Sequence, residues 1–116
     1  MTGDEIEALL AAGSLQLLDV RSAEEYDGTD GYGCDPVQGH MPGAVNIEVS
    51  ELVAAGADVR ALLAEHGLDS DARIVCYCHS GARSAQAVAV LAAAGVHAEN
   101  YPGSWHEWSR RSASAS

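Results

Sequence analysis

"IVCYCHSGARSAQAVAVLAAAG", residues 74–95, decides the fold. The residues from Arg73 to Tyr77 form a compact, largely apolar run of strand length, the next few are small or polar, and Ser84 to Ala94 is an Ala- and Val-rich helical stretch stopped by Gly95. A strand that passes into a helix through a short loop is the repeating unit of a parallel sheet, because parallel strands need crossover connections.

The alternation recurs on both sides. Residues 15–20, "LQLLDV", read as a buried strand whose carboxyl end turns polar; residues 44–47 read as a short strand fed by the Pro42-Gly43 turn, and residues 96–101 as a further strand. Thr2 with Glu5 and Ser22 with Glu25 have the S/T-x-x-E form of a capping box, so a helix is expected after each, and Ala57 to His66 reads as a third helix closed by Gly67. The glycine-rich text "DGTDGYGCDPVQG", residues 27–39, carries no apolar period and is expected to be a long irregular loop of the kind that often serves function. Together these predict one α/β domain over residues 1–109. Its central, mostly parallel sheet is flanked by helices on both faces, and a flexible polar tail follows at residues 110–116.

With 47% hydrophobic and 20% charged residues among 116, the composition is that of one globular domain. Six Lys and Arg stand against seventeen Asp and Glu, a net charge of −11. A field of that sign repels phosphate backbones and anionic headgroups, which argues against nucleic acid and membrane partners and requires a local positive site for any anionic substrate. The three cysteines, Cys34, Cys76 and Cys78, are an odd number without disulfide spacing. That fits a reducing cytoplasm, as does an N-terminal stretch with no basic leader and no apolar run of membrane-spanning length.

Cys78 lies where the 73–77 strand meets its helix, outside the carboxyl end of a parallel sheet, where such sheets bind ligands. Residues 79–83 must turn sharply, with Gly81 tolerating unusual dihedrals, so several amides can face one concavity at the helix N-terminus. That surrounding favours a thiolate, the nucleophilic form, which can attack a sulfane sulfur and hold it as a persulfide. Arg83 supplies a fixed positive charge at the end of the loop.

In order and approximate spacing, "LLDVRSAEEY", "GHMPGAVNI", "CHSGARS" and "YPGSWHEW" resemble the segments of a rhodanese-like sulfurtransferase domain, over roughly residues 4–109. The resemblance implies a rhodanese-like α/β fold, Cys78 as the catalytic, persulfide-bearing residue, and a substrate cradle formed by His79, Ser80, Gly81, Ala82 and Arg83. Ser84, like Ser80, is a further hydroxyl donor toward the persulfide and also a natural N-cap. The implied activity is that of a thiosulfate sulfurtransferase-like enzyme, working without a cofactor. It would take sulfur from a small donor such as thiosulfate and pass it to cyanide, a thiol or a protein acceptor. A sulfur-carrier or docking module without small-molecule turnover is the alternative. Phosphatase or arsenate reductase chemistry is disfavoured, since those fold relatives place one more residue between Cys and Arg than the "HSGA" found here.

Around this site, Cys76 is expected to pack in the core, facing the same side as Cys78 but deeper, and Cys34 to be a plain surface thiol rather than a resolving partner. Asp19 and Arg21 are expected to form a buried ion pair pinning a strand end, and Trp105 and Trp108 to be lids over the sheet. No metal site is expected, since "CYCH" lacks haem-attachment spacing and no second cysteine pair suggests zinc.

Overall fold

The computed structural model of the chain describes the backbone of residues 1–13 and 15–115 and, over the same span, the side chains through Arg111. Four strands, β1 (Gln16–Asp19), β2 (Val45–Asn46), β3 (Ile74–Tyr77) and β4 (Ala98–Asn100), pair in the order β2-β1-β3-β4 with every neighbour parallel. Among the described residues six α-helices connect and cover them: α1 (Gly3–Ala12), α2 (Ala23–Asp27), α3 (Val49–Ala55), α4 (Val59–Glu65), α5 (Ala82–Ala93) and α6 (Ser104–Ala115).

The alternation of side chains along each strand builds two cores. Leu18, Ile74, Cys76 and, just past the end of β3, Cys78 pack on one face with Leu52, Val59, Leu63, Ala87 and Leu91 of α3, α4 and α5. Leu17, Val75 and Tyr77 pack on the other with Ile6 of α1 and Trp105 and Trp108 of α6. Both tryptophans are therefore lids over the sheet, as expected. Both expected capping boxes form as well: Thr2 and Ser22 accept from the amides of Glu5 and Glu25, whose carboxylates reach back to the cap amides.

The structure differs from expectation at several boundaries. Residues 48–58 carry a helix, α3, and a 3-10 turn (Gly56–Asp58) ahead of α4, where the sequence suggested a single helix from Ala57. Helix α5 begins at Ala82, with Gly81 as its N-cap at φ +100°, so Ser84 lies inside the first turn and does not cap it. Helix α6 continues to Ala115, so most of the expected flexible tail is helical; its last residue, Ser116, lies outside the described residues. Arg111 anchors α6 to α1 through Asp4 and Glu7, each at 2.9 Å.

Candidate active site

Cys78 follows β3 directly, and its backbone is fixed by groups from α6: its amide donates to Ser104 Oγ (3.1 Å) and its carbonyl accepts from the Trp105 amide (2.9 Å). The adjacent His79 carbonyl accepts from the His106 amide at 2.9 Å. With both peptide units held, the chain folds over the cysteine sulfur. The Gly81 amide donates to Cys78 Sγ at 3.1 Å and the Ser84 amide at 3.4 Å, while the Ser84 hydroxyl lies 3.4 Å away. Burial pushes this thiol up. The Ser84 hydroxyl and the amides of Ser84, Gly81 and Ser80 outweigh burial and bring Cys78 below the ordinary thiol range.

Gly81 is required here for two reasons. Its φ of +100° is costly for any residue with a side chain, and a Cβ would come within 2.8 Å of the Pro102 carbonyl oxygen. The same glycine's carbonyl accepts from the Ser84 hydroxyl (3.1 Å) and from Asn100 Nδ2 (3.3 Å), which closes the ring of the loop on β4.

Among the expected cradle residues, Gly81 and Ser84 touch the sulfur and the Ser80 amide supports its ionised form. Ala82 opens α5 with its side chain exposed. Arg83 points elsewhere: its guanidinium forms a two-bond fork with Glu25, Nη1 to Oε1 at 2.8 Å and Nη2 to Oε2 at 3.1 Å. Burial alone would raise Glu25, but the bonds from Arg83 and Ser22 dominate and hold its carboxyl at about 2. Glu25 thus serves both as the capping-box acid of α2 and as the partner of the loop arginine. Its sequence signal was the cap alone. A cleft of about 240 Å³ lined by Glu25, Asp30, Gly31 and Tyr32 opens beside this pair.

His79 turns toward the residue 27–39 loop. Its ring stacks on Tyr32 with centroids 3.8 Å apart, and Nε2 lies 3.0 Å from Asp35 Oδ2. The loop is tied over the site by Trp105 Nε1 donating to the Val37 carbonyl (3.0 Å) and by Arg110 donating to the Cys34 carbonyl (2.9 Å) and Asp35 Oδ1 (3.0 Å). Sequence spacing carried no sign of this approach, which joins segments about 70 residues apart.

The remaining expectations fall out plainly. Asp19 and Arg21 form a buried ion pair at 2.6 Å, and Arg21 also donates to the Gly39 carbonyl at 2.6 Å, so the pair pins the end of β1 to the end of the long loop. Cys76 is fully buried among hydrocarbon, which pushes its thiol up to about 12. Cys34 is an exposed free thiol.

The model of the rhodanese-like domain matches residues 2–111. SseB of Mycobacterium tuberculosis is 42% identical over 104 residues, covering 84% of this chain and 36% of its own length. The human thiosulfate:glutathione sulfurtransferase is 38% identical over 110 residues, covering 90% of this chain and 87% of its own. The solved structure of the human single-domain sulfurtransferase TSTD1 superposes with a TM-score of 0.74 at 33% identity, across 96% of this chain and 95% of that one. The chain belongs to the rhodanese-like family. It spans little more than a third of the length of SseB and most of the length of the human relative.

Proposed function

We propose that this rhodanese-like chain is a sulfurtransferase that carries one sulfane sulfur on Cys78, with thiosulfate as donor and a small thiol as acceptor. The observation that carries the reading is the ring of Gly81 and Ser84 donors around a buried Cys78 sulfur. Such a ring stabilises a thiolate before reaction and the terminal sulfur of a persulfide after it.

The cycle needs no external oxidant. The Cys78 thiolate attacks the outer sulfur of thiosulfate; a new S–S bond forms as the S–S bond of the donor breaks, and sulfite leaves with the electron pair. An acceptor thiolate then attacks the outer sulfur of the persulfide. Cys78 departs as thiolate, and the acceptor leaves as its own persulfide. Cyanide in the same role leaves as thiocyanate. The thiol acceptor is suggested by the name of the human relative, which matches over most of both chains.

The Arg83–Glu25 fork shapes which donors fit. Because Glu25 already occupies the guanidinium, Arg83 offers an anion less than a full positive charge, and the acidic cleft beside it adds repulsion. The donor's oxygens must therefore be held largely by loop amides. Intact-protein mass spectrometry after incubation with thiosulfate tests the reading: a gain of one sulfur atom is expected, mapped to Cys78 and removed by glutathione. A wild-type protein that gains no sulfur, or that keeps the gain in Cys78→Ser, rejects it. Sulfur loading without any turnover on thiosulfate and thiols would favour the carrier alternative.

A further inference from the structure

Beside the sulfur site, four donor groups from three separate segments converge. Cys34 Sγ, an Asp35 carboxylate oxygen and one ring nitrogen each of His79 and His106 all lie within 4.8 Å of one another. The donors of a four-coordinate zinc ion, at about 2.0–2.3 Å from the metal, stand about 3–4 Å apart, so this set is near coordinating distance without a ligand having gathered it.

A second observation points to a cation. Asp35 Oδ2 and His79 Nε2 are buried, face each other at 3.0 Å, and have no hydrogen-bond partner among the described residues. The Asp35 side chain is wholly inaccessible and that of His79 is 12% exposed. With His79 neutral and Nε2 bare, two lone pairs meet at that distance, a costly arrangement unless a cation lies beside both atoms. A metal ion satisfies both at once, as a Lewis acid toward a carboxylate oxygen and a ring-nitrogen lone pair.

The other contacts fall on the second carboxylate oxygen. Arg110 donates to Asp35 Oδ1 (3.0 Å), and His106 Nδ1 lies 3.8 Å from the same oxygen, so Oδ2 faces His79 Nε2 alone. Arg110 also holds the Cys34 carbonyl at 2.9 Å, which fixes the backbone between the two loop donors. Its positive charge is set against the Asp35 carboxylate, and a Cys34 thiolate would add a second negative charge at the site. Thiolate, carboxylate and two imidazoles are a borderline-soft set that selects zinc-like divalent ions over calcium or magnesium.

We propose that Cys34, Asp35, His79 and His106 form a binding site for Zn²⁺ or a similar transition-metal ion, in which the metal clasps the residue 27–39 loop to His79 and to helix α6. Binding displaces the Cys34 thiol proton to solvent and involves no change of oxidation state. Since His79 directly follows Cys78, the occupied site fixes the loop over the sulfur-bearing cysteine. Lower sulfurtransferase turnover on metal binding is the expected consequence, and that clause alone rests on the function proposed above.

Cobalt(II) titration of the full chain under reducing conditions tests the site independently of turnover. One equivalent is expected to bind with a thiolate-to-cobalt charge-transfer band and the intense visible bands of tetrahedral cobalt, both bleached by added Zn²⁺. The spectrum is expected to persist in Cys78→Ser and to disappear in Cys34→Ser, an exposed position where the fold tolerates the change. His106→Gln, also exposed, is expected to weaken binding at least about tenfold. No stoichiometric binding by the wild-type chain, or a charge-transfer band that survives in Cys34→Ser and is lost in Cys78→Ser, overturns the proposal. Failure of sulfur loading with an intact cobalt spectrum would instead reject only the proposed transfer activity.

Discussion

Cys76 and Cys78 pack into the same core, two positions apart in the chain, and both are buried, yet their thiols move in opposite directions. Cys76 is pushed up to about 12 by burial and by the neighbouring Cys78. Cys78 is also closed to solvent but lies less deep at the strand end, and it falls below the ordinary range because the chain beyond it curls back and aims donors at its sulfur. Closure to solvent alone therefore does not set the direction of a thiol's shift. A hydroxyl and a few peptide amides aimed at the sulfur overcome the smaller burial penalty at Cys78, and Cys76 has no such donors against its larger one.

The largest break in this comparison is expected from exchanging the sulfurs themselves. Cys78→Ser should lose sulfur loading by mass spectrometry and reduce turnover to background. Cys76→Ser should keep loading while losing about 1–3 kcal/mol of stability, since a hydroxyl enters a hydrocarbon core. Loss of loading in a folded Cys76→Ser protein would contradict the division of roles.

Next comes the backbone that aims the dipoles. Gly81→Ala must either force a side chain into the left-handed region or shift the loop off Pro102, at a cost of about 1–3 kcal/mol. In denaturant titrations the midpoint should fall. In iodoacetamide alkylation followed against pH, the Cys78 profile should move upward toward that of an ordinary thiol.

Ser84→Ala sharpens the contrast while leaving Gly81 in place as the N-cap of α5. It removes the hydroxyl while leaving the amide, and a hydrogen bond to a charged group contributes about 1.5–3 kcal/mol, so alkylation of Cys78 at neutral pH should slow roughly tenfold. The stability change should be small, because the Gly81 carbonyl that also takes the hydroxyl's bond keeps the Ala85 amide and Asn100 Nδ2 as donors. An unchanged alkylation profile would show that the amides suffice.

The smallest effect is expected at the Arg83–Glu25 fork, farther from the sulfur. Glu25 is held at about 2 in the folded chain against an ordinary glutamate value of 4.5, so between those values the unfolded chain binds the extra proton. Its stabilisation is complete above about pH 4.5 and lost as the pH falls toward 2. The denaturation midpoint of the wild-type protein should therefore decline over that window more steeply than that of Glu25→Gln. Equal slopes would mean that the fork contributes nothing measurable to the folded state.

The α/β class was legible in the text because it rests on local period: apolar runs of strand length, two capping boxes and glycines at turns. The site was legible for the same reason, since Cys78, Gly81 and Ser84 lie within seven consecutive residues and their contacts are dictated by one turn. Where the local code was ambiguous the boundaries moved. Ser84 resembles an N-cap by type, but the left-handed Gly81 took that place, and the polar run after Trp108 has low hydrophobicity yet continues as helix because Arg110 and Arg111 find carboxylates on the long loop and α1.

Sequence alone determined the fold class, the candidate cysteine and the turn that surrounds it, because each depends on residues close together in the chain. Tertiary structure decided that Arg83 would be held by Glu25, 58 positions away, and that Cys34 and Asp35 would meet His79 and His106. Those pairings follow from which loops the parallel sheet gathers at the carboxyl ends of its strands, a property of the assembled strand order that no local spacing encodes.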